Sequence, residues 1–216
     1  MIVGITAPKI KHQLYNEYGH YLNIKWQKLA KKIGINLVIL SNIETTNRFM
    51  KEKSLKAIIL SGGGSLSKSF PKIDEKKNSK IIDYEREKIE KNLIKFSLKS
   101  KIPLLGICRG MQAIGMYYGI KLSMVQDHVK TRHKLSYYCP IIKKNIKRNV
   151  NSYHDYGFNT SSIPNTFTIN AAHNNIAEQI VHKDEKILCL MWHPEREIKF
   201  NKLDVDLLKI FFNIKK

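Results

Sequence analysis

At 216 residues and 43% apolar composition, the chain is long enough for one substantial core and is expected to be a single domain over residues 1–216. No apolar run approaches the ~20 residues of a membrane span, and "MIVGITAPKI" lacks the basic, apolar and small-residue order of an export signal. Three widely spaced cysteines exclude a disulfide framework or zinc pattern, which makes a reducing cytoplasm the expected compartment, while Lys+Arg 38 against Asp+Glu 18 leaves a formal charge of +20.

Taken in order, "MIVGIT" reads as a short first strand ending before Pro8. Residues 23–33 carry Ile24, Leu29, Ala30 and Ile33 among lysines, a helix that Gly34 is placed to end. "INLVILS" and "LKAIILSGGG" read as buried strands, the latter stopping at three glycines. A polar stretch with Pro71 reads as a loop. Ile82, Ile89, Leu93 and Phe96 then form one helical stripe, with Glu87 and Lys91 placed for an i,i+4 pair. "IPLLGI" is the fourth strand. Continuous apolar strands alternating with helices predict an α/β fold, a mostly parallel central sheet flanked by helices. After Gly119, "IKLSMVQD", "HKLSYYCPII", "SYHDYGF", "FTINAAHN" and "ILCLMWH" predict an added antiparallel region, closed by a helix over "LDVDLLKIFFNI".

Active sites of parallel sheets lie at the carboxyl ends of their strands, and three such ends stand out. Gly106-Ile107-Cys108-Arg109-Gly110 has the spacing of a nucleophile elbow. A sharp strand-to-helix turn strains its central residue, so the residues two before and two after it must be very small. The helix that follows aims its N-terminal dipole and free N–H groups at the sulfur, which favours thiolate. The same residues also suit a buried filler cysteine beside packing glycines. "MWHPER" places Glu195 two residues after His193, on the same side of an extended segment, where it can orient an imidazole whose other nitrogen faces a thiol. "SGGG" offers backbone N–H groups for an oxyanion, with the Arg109 N–H as second donor. It equally suits a plain turn or a phosphate cradle, although the Gly-Lys-Ser/Thr of a P-loop is missing.

Together "LLGICRGMQ", "ILSGGG" and "MWHPE" resemble, in this order and over Met1 to Glu195, the class I glutamine amidotransferase-like (flavodoxin-like) superfamily. The resemblance implies that Cys108 attacks a γ-glutamyl carbonyl to form a glutamyl thioester, that His193 shuttles the proton and that Glu195 orients it. It also implies that Gly63 and Arg109 hold the oxyanion. Arginine directly after the cysteine, and "VNSYHDYGF", are similar to the γ-glutamyl hydrolase branch, the peptidase C26 group. That branch implies substrate contacts from Gln112, Asn151, Ser152, Tyr153 and His154, with Tyr156 standing where the branch has glutamine.

The implied partner is a small γ-glutamyl substrate, nucleotide-linked in one version, with neither nucleic acid nor membrane. The charge fits a phosphate-bearing substrate, for which "HVKTRHK" and "IIKKNIKR" are candidates. Only six of the 38 basic residues are arginine, however, and an AT-rich genome yields the same surplus of lysine. Nucleic acid ranks behind both, without an RNP, zinc-finger or helix-turn-helix signature. A glutaminase subunit feeding ammonia to a separate synthase is the alternative enzyme, and a γ-aminobutyrate conjugate the alternative substrate. A degenerate, non-catalytic relative is disfavoured because the cysteine, histidine and glutamate are all kept. The other seven histidines (His12, His20, His128, His133, His154, His173, His182) show no local metal-ligand spacing, so neither metal nor cofactor is expected.

Overall fold

The computed structural model describes residues 1–67 and 82–214. The chain runs β1 (Ile2–Ile5), β2 (Lys9–Lys11), β3 (Tyr18–His20), α1 (Lys25–Ile33), β4 (Asn36–Ile39), α2 (Ile43–Lys51), β5 (Ala57–Leu60), α3 (Tyr84–Ser100), β6 (Leu104–Ile107) and α4 (Arg109–Tyr117). It continues through β7 (Ser123–Met124), β8 (Val129–Cys139), β9 (Lys144–Tyr153), β10 (Tyr156–Gly157), β11 (Phe167–His173), β12 (Ile176–His182), β13 (Ile187–Leu190) and α5 (Lys202–Phe211).

Seven strands form the central sheet in the order β11-β12-β13-β6-β5-β1-β4. From β13 to β4 every pairing is parallel, and β11 and β12 extend the sheet antiparallel. Every residue of β5, β6 and β13 is buried, as two covered faces require, whereas edge strand β4 leaves Asn36 and Ile39 exposed. Each fully buried leucine or isoleucine here contributes about 1.5–3 kcal/mol relative to an exposed one. This is the sheet expected from the alternation of apolar runs and helices.

Gly34 ends α1 in the left-handed conformation, its N–H donating to the Ala30 carbonyl. α3 buries Ile89 and Leu93 as the stripe predicts, but Ile82 precedes the helix and bridges Ser65. Arg86 and Glu90 are buried on that same helix, and Glu87 accepts from the N–H and hydroxyl of Ser67. α2 was not visible as a stripe, because Thr46 is its one buried residue. Its start is marked by Asn42, whose side chain accepts from the Thr45 N–H. The loop around Pro71 lies outside the described residues.

The antiparallel region is dominated by the β8–β9 hairpin, which buries alternate residues and packs along β11. A buried, bidentate Arg148–Asp204 pair (2.7 and 2.6 Å) ties β9 to the start of α5, and the Trp192 indole N–H donates to the same carboxylate at 3.1 Å. The residue after Trp192 is His193, so this staple anchors the base of the candidate site. Among the described residues no helix is long and apolar enough to cross a membrane.

Candidate active site

Cys108 occupies the seam between β6 and α4 with φ +50° and ψ −105°, a conformation that costs a non-glycine residue about 1–3 kcal/mol. Two backbone bonds hold it there: its N–H donates to Leu190 on β13 (2.8 Å), and its carbonyl accepts from Gln112 (3.0 Å). The flanking glycines are sterically required. A Cβ on Gly110 would run into the Leu60 carbonyl, and one on Gly106 would stand 2.8 Å from the Met111 nitrogen. The glycines therefore do let the helix pack on the strand, and that packing is what forces the cysteine into the strained turn. Cys189, by contrast, lies within β13, where burial pushes its thiol pKa up.

His193 follows β13. The extended geometry expected for His193 and Glu195 is replaced by a 3-10 turn over Pro194–Arg196, with proline at its first position fixing φ. The turn still brings the carboxylate to the ring, with Nδ1 to Glu195 Oε1 at 2.7 Å, and the Cys108 sulfur is near enough to act on the imidazole electrostatically. Burial pulls the imidazole pKa down, but the Glu195 carboxylate and the Cys108 sulfur outweigh it and raise it to about 9. The backbone of His193 is clamped at both ends by Asn151. Its N–H donates to Oδ1 (2.9 Å) and its carbonyl accepts from Nδ2 (2.8 Å). Tyr153 presents its ring edge to the His193 ring at 5.9 Å, and the Arg196 guanidinium lies 4.8 Å above Tyr153.

The glycine loop after β5 packs directly on this histidine, for a Cβ on Gly62 would meet the imidazole. Arg86 holds the loop on both sides of Gly62, donating to the Ser61 carbonyl (2.6 Å) and the Gly63 carbonyl (2.8 Å), while the Ser61 hydroxyl donates to the Thr6 carbonyl (2.6 Å). Gly63 adopts φ +85°. Arg86 is in turn bonded to Glu90 (2.8 Å), which also pairs with the buried Arg109 side chain and accepts from the Thr6 hydroxyl (2.9 Å). Burial alone would raise the Glu90 pKa, yet the Arg109 and Arg86 guanidinium groups hold it below the usual carboxylate range. The N–H of Arg109 begins α4, among the backbone donors an α-helix leaves unpaired. Arg86 and Glu90 were missed in the sequence, because an i,i+4 charge pair reads as a solvated face and only the fold buries this one.

With this geometry in place, comparison with known proteins is decisive at the family level. Residues 1–195 match the Peptidase C26 family. The chain belongs to it. γ-Glutamyl-CDP-amidate hydrolase of Campylobacter jejuni subsp. jejuni serotype O:2 is 32% identical over 215 residues, covering 99% of this chain and 98% of that protein. The glutamine-hydrolysing GMP synthase subunit of Methanocaldococcus jannaschii is 26% identical over 91% of this chain and 93% of its own. A solved structure described as a putative GMP synthase subunit from Thermoplasma acidophilum shares the fold, with TM-score 0.71 at 17% identity over 99% of this chain and 94% of that one. Membership makes the protein an amide hydrolase.

Within this peptidase C26 chain the "VNSYH" run divides its tasks. Asn151 holds His193, and Tyr153 flanks it. The buried Ser152 hydroxyl donates to the His128 carbonyl at 2.6 Å. His154 faces elsewhere, its Nε2 3.2 Å from His128 Nδ1 and its Nδ1 3.0 Å from the Tyr156 carbonyl. Gln112 donates from its side-chain amide to that same carbonyl at 2.8 Å. No local spacing suggested a metal site, but the fold brings His128, His133, His154 and Glu178 together in the interior.

Proposed function

We propose that the protein hydrolyses a γ-glutamyl amide through a thioester on Cys108. The observation that carries this reading is the buried imidazole of His193, bonded through Nδ1 to Glu195 and raised in pKa by that carboxylate and by the Cys108 sulfur. The Cys108 thiolate attacks the γ-carbonyl carbon, and the backbone N–H groups of Gly63 and Arg109 receive the oxyanion. Arg86 holds the glycine loop that carries Gly63, and the start of α4 fixes the Arg109 N–H. The His193 imidazolium gives its proton to the leaving nitrogen as the C–N bond breaks, leaving the acyl thioester and a neutral imidazole. That imidazole then takes a proton from water, which attacks the thioester, and glutamate departs as the thiol recovers its proton. Tyr153 and Gln112 are the proposed glutamyl-side contacts, and Asn151 positions His193.

For the leaving group we favour a nucleotide diphosphate amidate, as in the relative γ-glutamyl-CDP-amidate hydrolase. Arg196, above the Tyr153 ring that flanks His193, supplies positive charge near the histidine, whereas Arg132 of β8 is paired with Glu197. The setting that the sequence resemblance implies for such a substrate is capsular phosphoramidate synthesis in the cytoplasm. Glutamate release should be fastest, by kcat/KM, from γ-glutamyl-CDP-amidate when it is compared with glutamine and γ-glutamyl-γ-aminobutyrate. Cys108→Ala should lower all three by at least ~10³-fold while the protein stays folded. A variant that still turned over would refute the thioester, and equal rates on the three substrates would refute the leaving group.

The second reading, a glutaminase subunit for a separate synthase, draws on the relatives that are subunits of GMP synthase. It requires that glutamine hydrolysis be slow in the isolated chain and rise on adding the synthase.

A further inference from the structure

Four side chains from three separate segments meet in the interior, apart from the cysteine site: His128 just before β8 and His133 on it, His154 just after β9 and Glu178 on β12. All four are buried, and one donor atom from each lies within 4.8 Å of the other three. Four of the separations are tighter still. His128 Nδ1 to His154 Nε2 is 3.2 Å and His133 Nδ1 to Glu178 Oε1 is 2.9 Å, while His128 Nδ1 and His154 Nε2 each stand 3.5 Å from Glu178 Oε1. A tetrahedral zinc with bonds near 2.0–2.1 Å separates its ligands by about 3.3 Å.

Three further observations favour an ion over a purely hydrogen-bonded cluster. Glu178 Oε2 is buried without a hydrogen-bond partner, leaving half a carboxylate uncompensated. The Nδ1 of His154 points at the Tyr156 carbonyl, which as a hydrogen-bond acceptor there leaves Nε2 as a lone pair facing the cluster, the usual outer support of a metal-bound histidine. The His133 ring is stacked 4.2 Å from His173, 14° from parallel, which fixes its orientation.

We propose that His128, His133, His154 and Glu178 form a closed structural zinc site that pins the β8–β9 hairpin to β12. Three imidazoles and one carboxylate suit zinc, and four protein ligands leave no open position, so the role is structural. The site lies three residues along the chain from Asn151, through Ser152, which bonds the His128 carbonyl. Loading the metal thereby stiffens the strand that clamps His193.

The test uses the full chain without a polyhistidine tag. Metal analysis after gel filtration should find about one zinc per chain. Stripping with a chelator should lower Tm by about 5–15 °C, and zinc alone should restore it. Cobalt(II) added to stripped protein should show the intense visible bands of a tetrahedral site. Glu178→Gln and His133→Asn should each weaken zinc binding by at least ~10²-fold. Stripped wild-type protein that neither binds zinc or cobalt nor gains Tm would overturn the proposal. So would either variant, folded by circular dichroism, binding zinc as tightly as wild type. None of these readouts depends on the substrate or on Cys108.

Discussion

Two buried histidine–glutamate clusters sit in this molecule, and the chain builds them in opposite ways. In the cysteine site the histidine and glutamate are two residues apart, carried by one 3-10 turn at a strand end. In the second cluster the histidines come from one hairpin and the glutamate from a strand 24 residues beyond His154, so no segment contains the set. The first cluster lies beside a third member, the strained Cys108 at the seam of β6 and α4. The second draws its members from separated parts of the chain that only the fold brings together.

The contrast is broken most sharply at Glu195. Glu195→Gln should lower kcat by roughly 10²- to 10⁴-fold, since the imidazole loses both its orientation and its charge partner. Zinc content should be unchanged. The raised His193 pKa also gives a pH signature. A histidine near 9 in the folded state and about 6.5 unfolded contributes stability that is fully present below about 6.5 and is lost as pH rises through about 9. Wild-type kcat/KM should therefore fall on an alkaline limb near pH 9, and Glu195→Gln should move that limb downward. An unmoved limb would mean that another group controls it.

Removing Asn151 sharpens the comparison. Asn151→Ala should leave the buried His193 N–H unpaired, while the carbonyl keeps the Arg196 N–H, and cost about 1–3 kcal/mol in denaturant unfolding. kcat should drop by roughly 10- to 100-fold with KM nearly constant, because the residue positions the histidine and does not hold substrate. A rise in KM at constant kcat would instead make Asn151 a substrate ligand. The smallest effect is expected at the rim. Arg196→Ala should raise KM for a diphosphate substrate by roughly 3- to 10-fold, with the difference shrinking at high salt, and should leave KM for glutamine unaltered.

Much of the first site was readable because its signals are local. The glycines at 106 and 110 are dictated by contacts of Cβ size, and a sequence records such constraints directly. The His193–Glu195 pair was legible despite the wrong local geometry, since a short turn and a short strand both keep residues two apart within reach. The buried Arg86–Glu90–Arg109 brace was hidden because buried charge contradicts the rule that stripes are apolar, and only its partners offset the cost of desolvation. α2 was overlooked because its face is short and only half-buried, with Ile43, Phe49 and Met50 packed at the edge of the core around the one buried residue, Thr46.

By itself the sequence determined strands β1, β4, β5 and β6 with helices α1, α3, α4 and α5, the turn that carries Cys108 and the resemblance that places the chain among amide hydrolases. These follow from period, glycine placement and short-range spacing, which depend on neighbours in the chain. Tertiary structure alone decided that Asn151 clamps His193, that Arg86 holds the glycine loop, and that three histidines converge on Glu178. Those contacts depend on which strands lie side by side and in what register, and a register is set by the packing of the whole sheet.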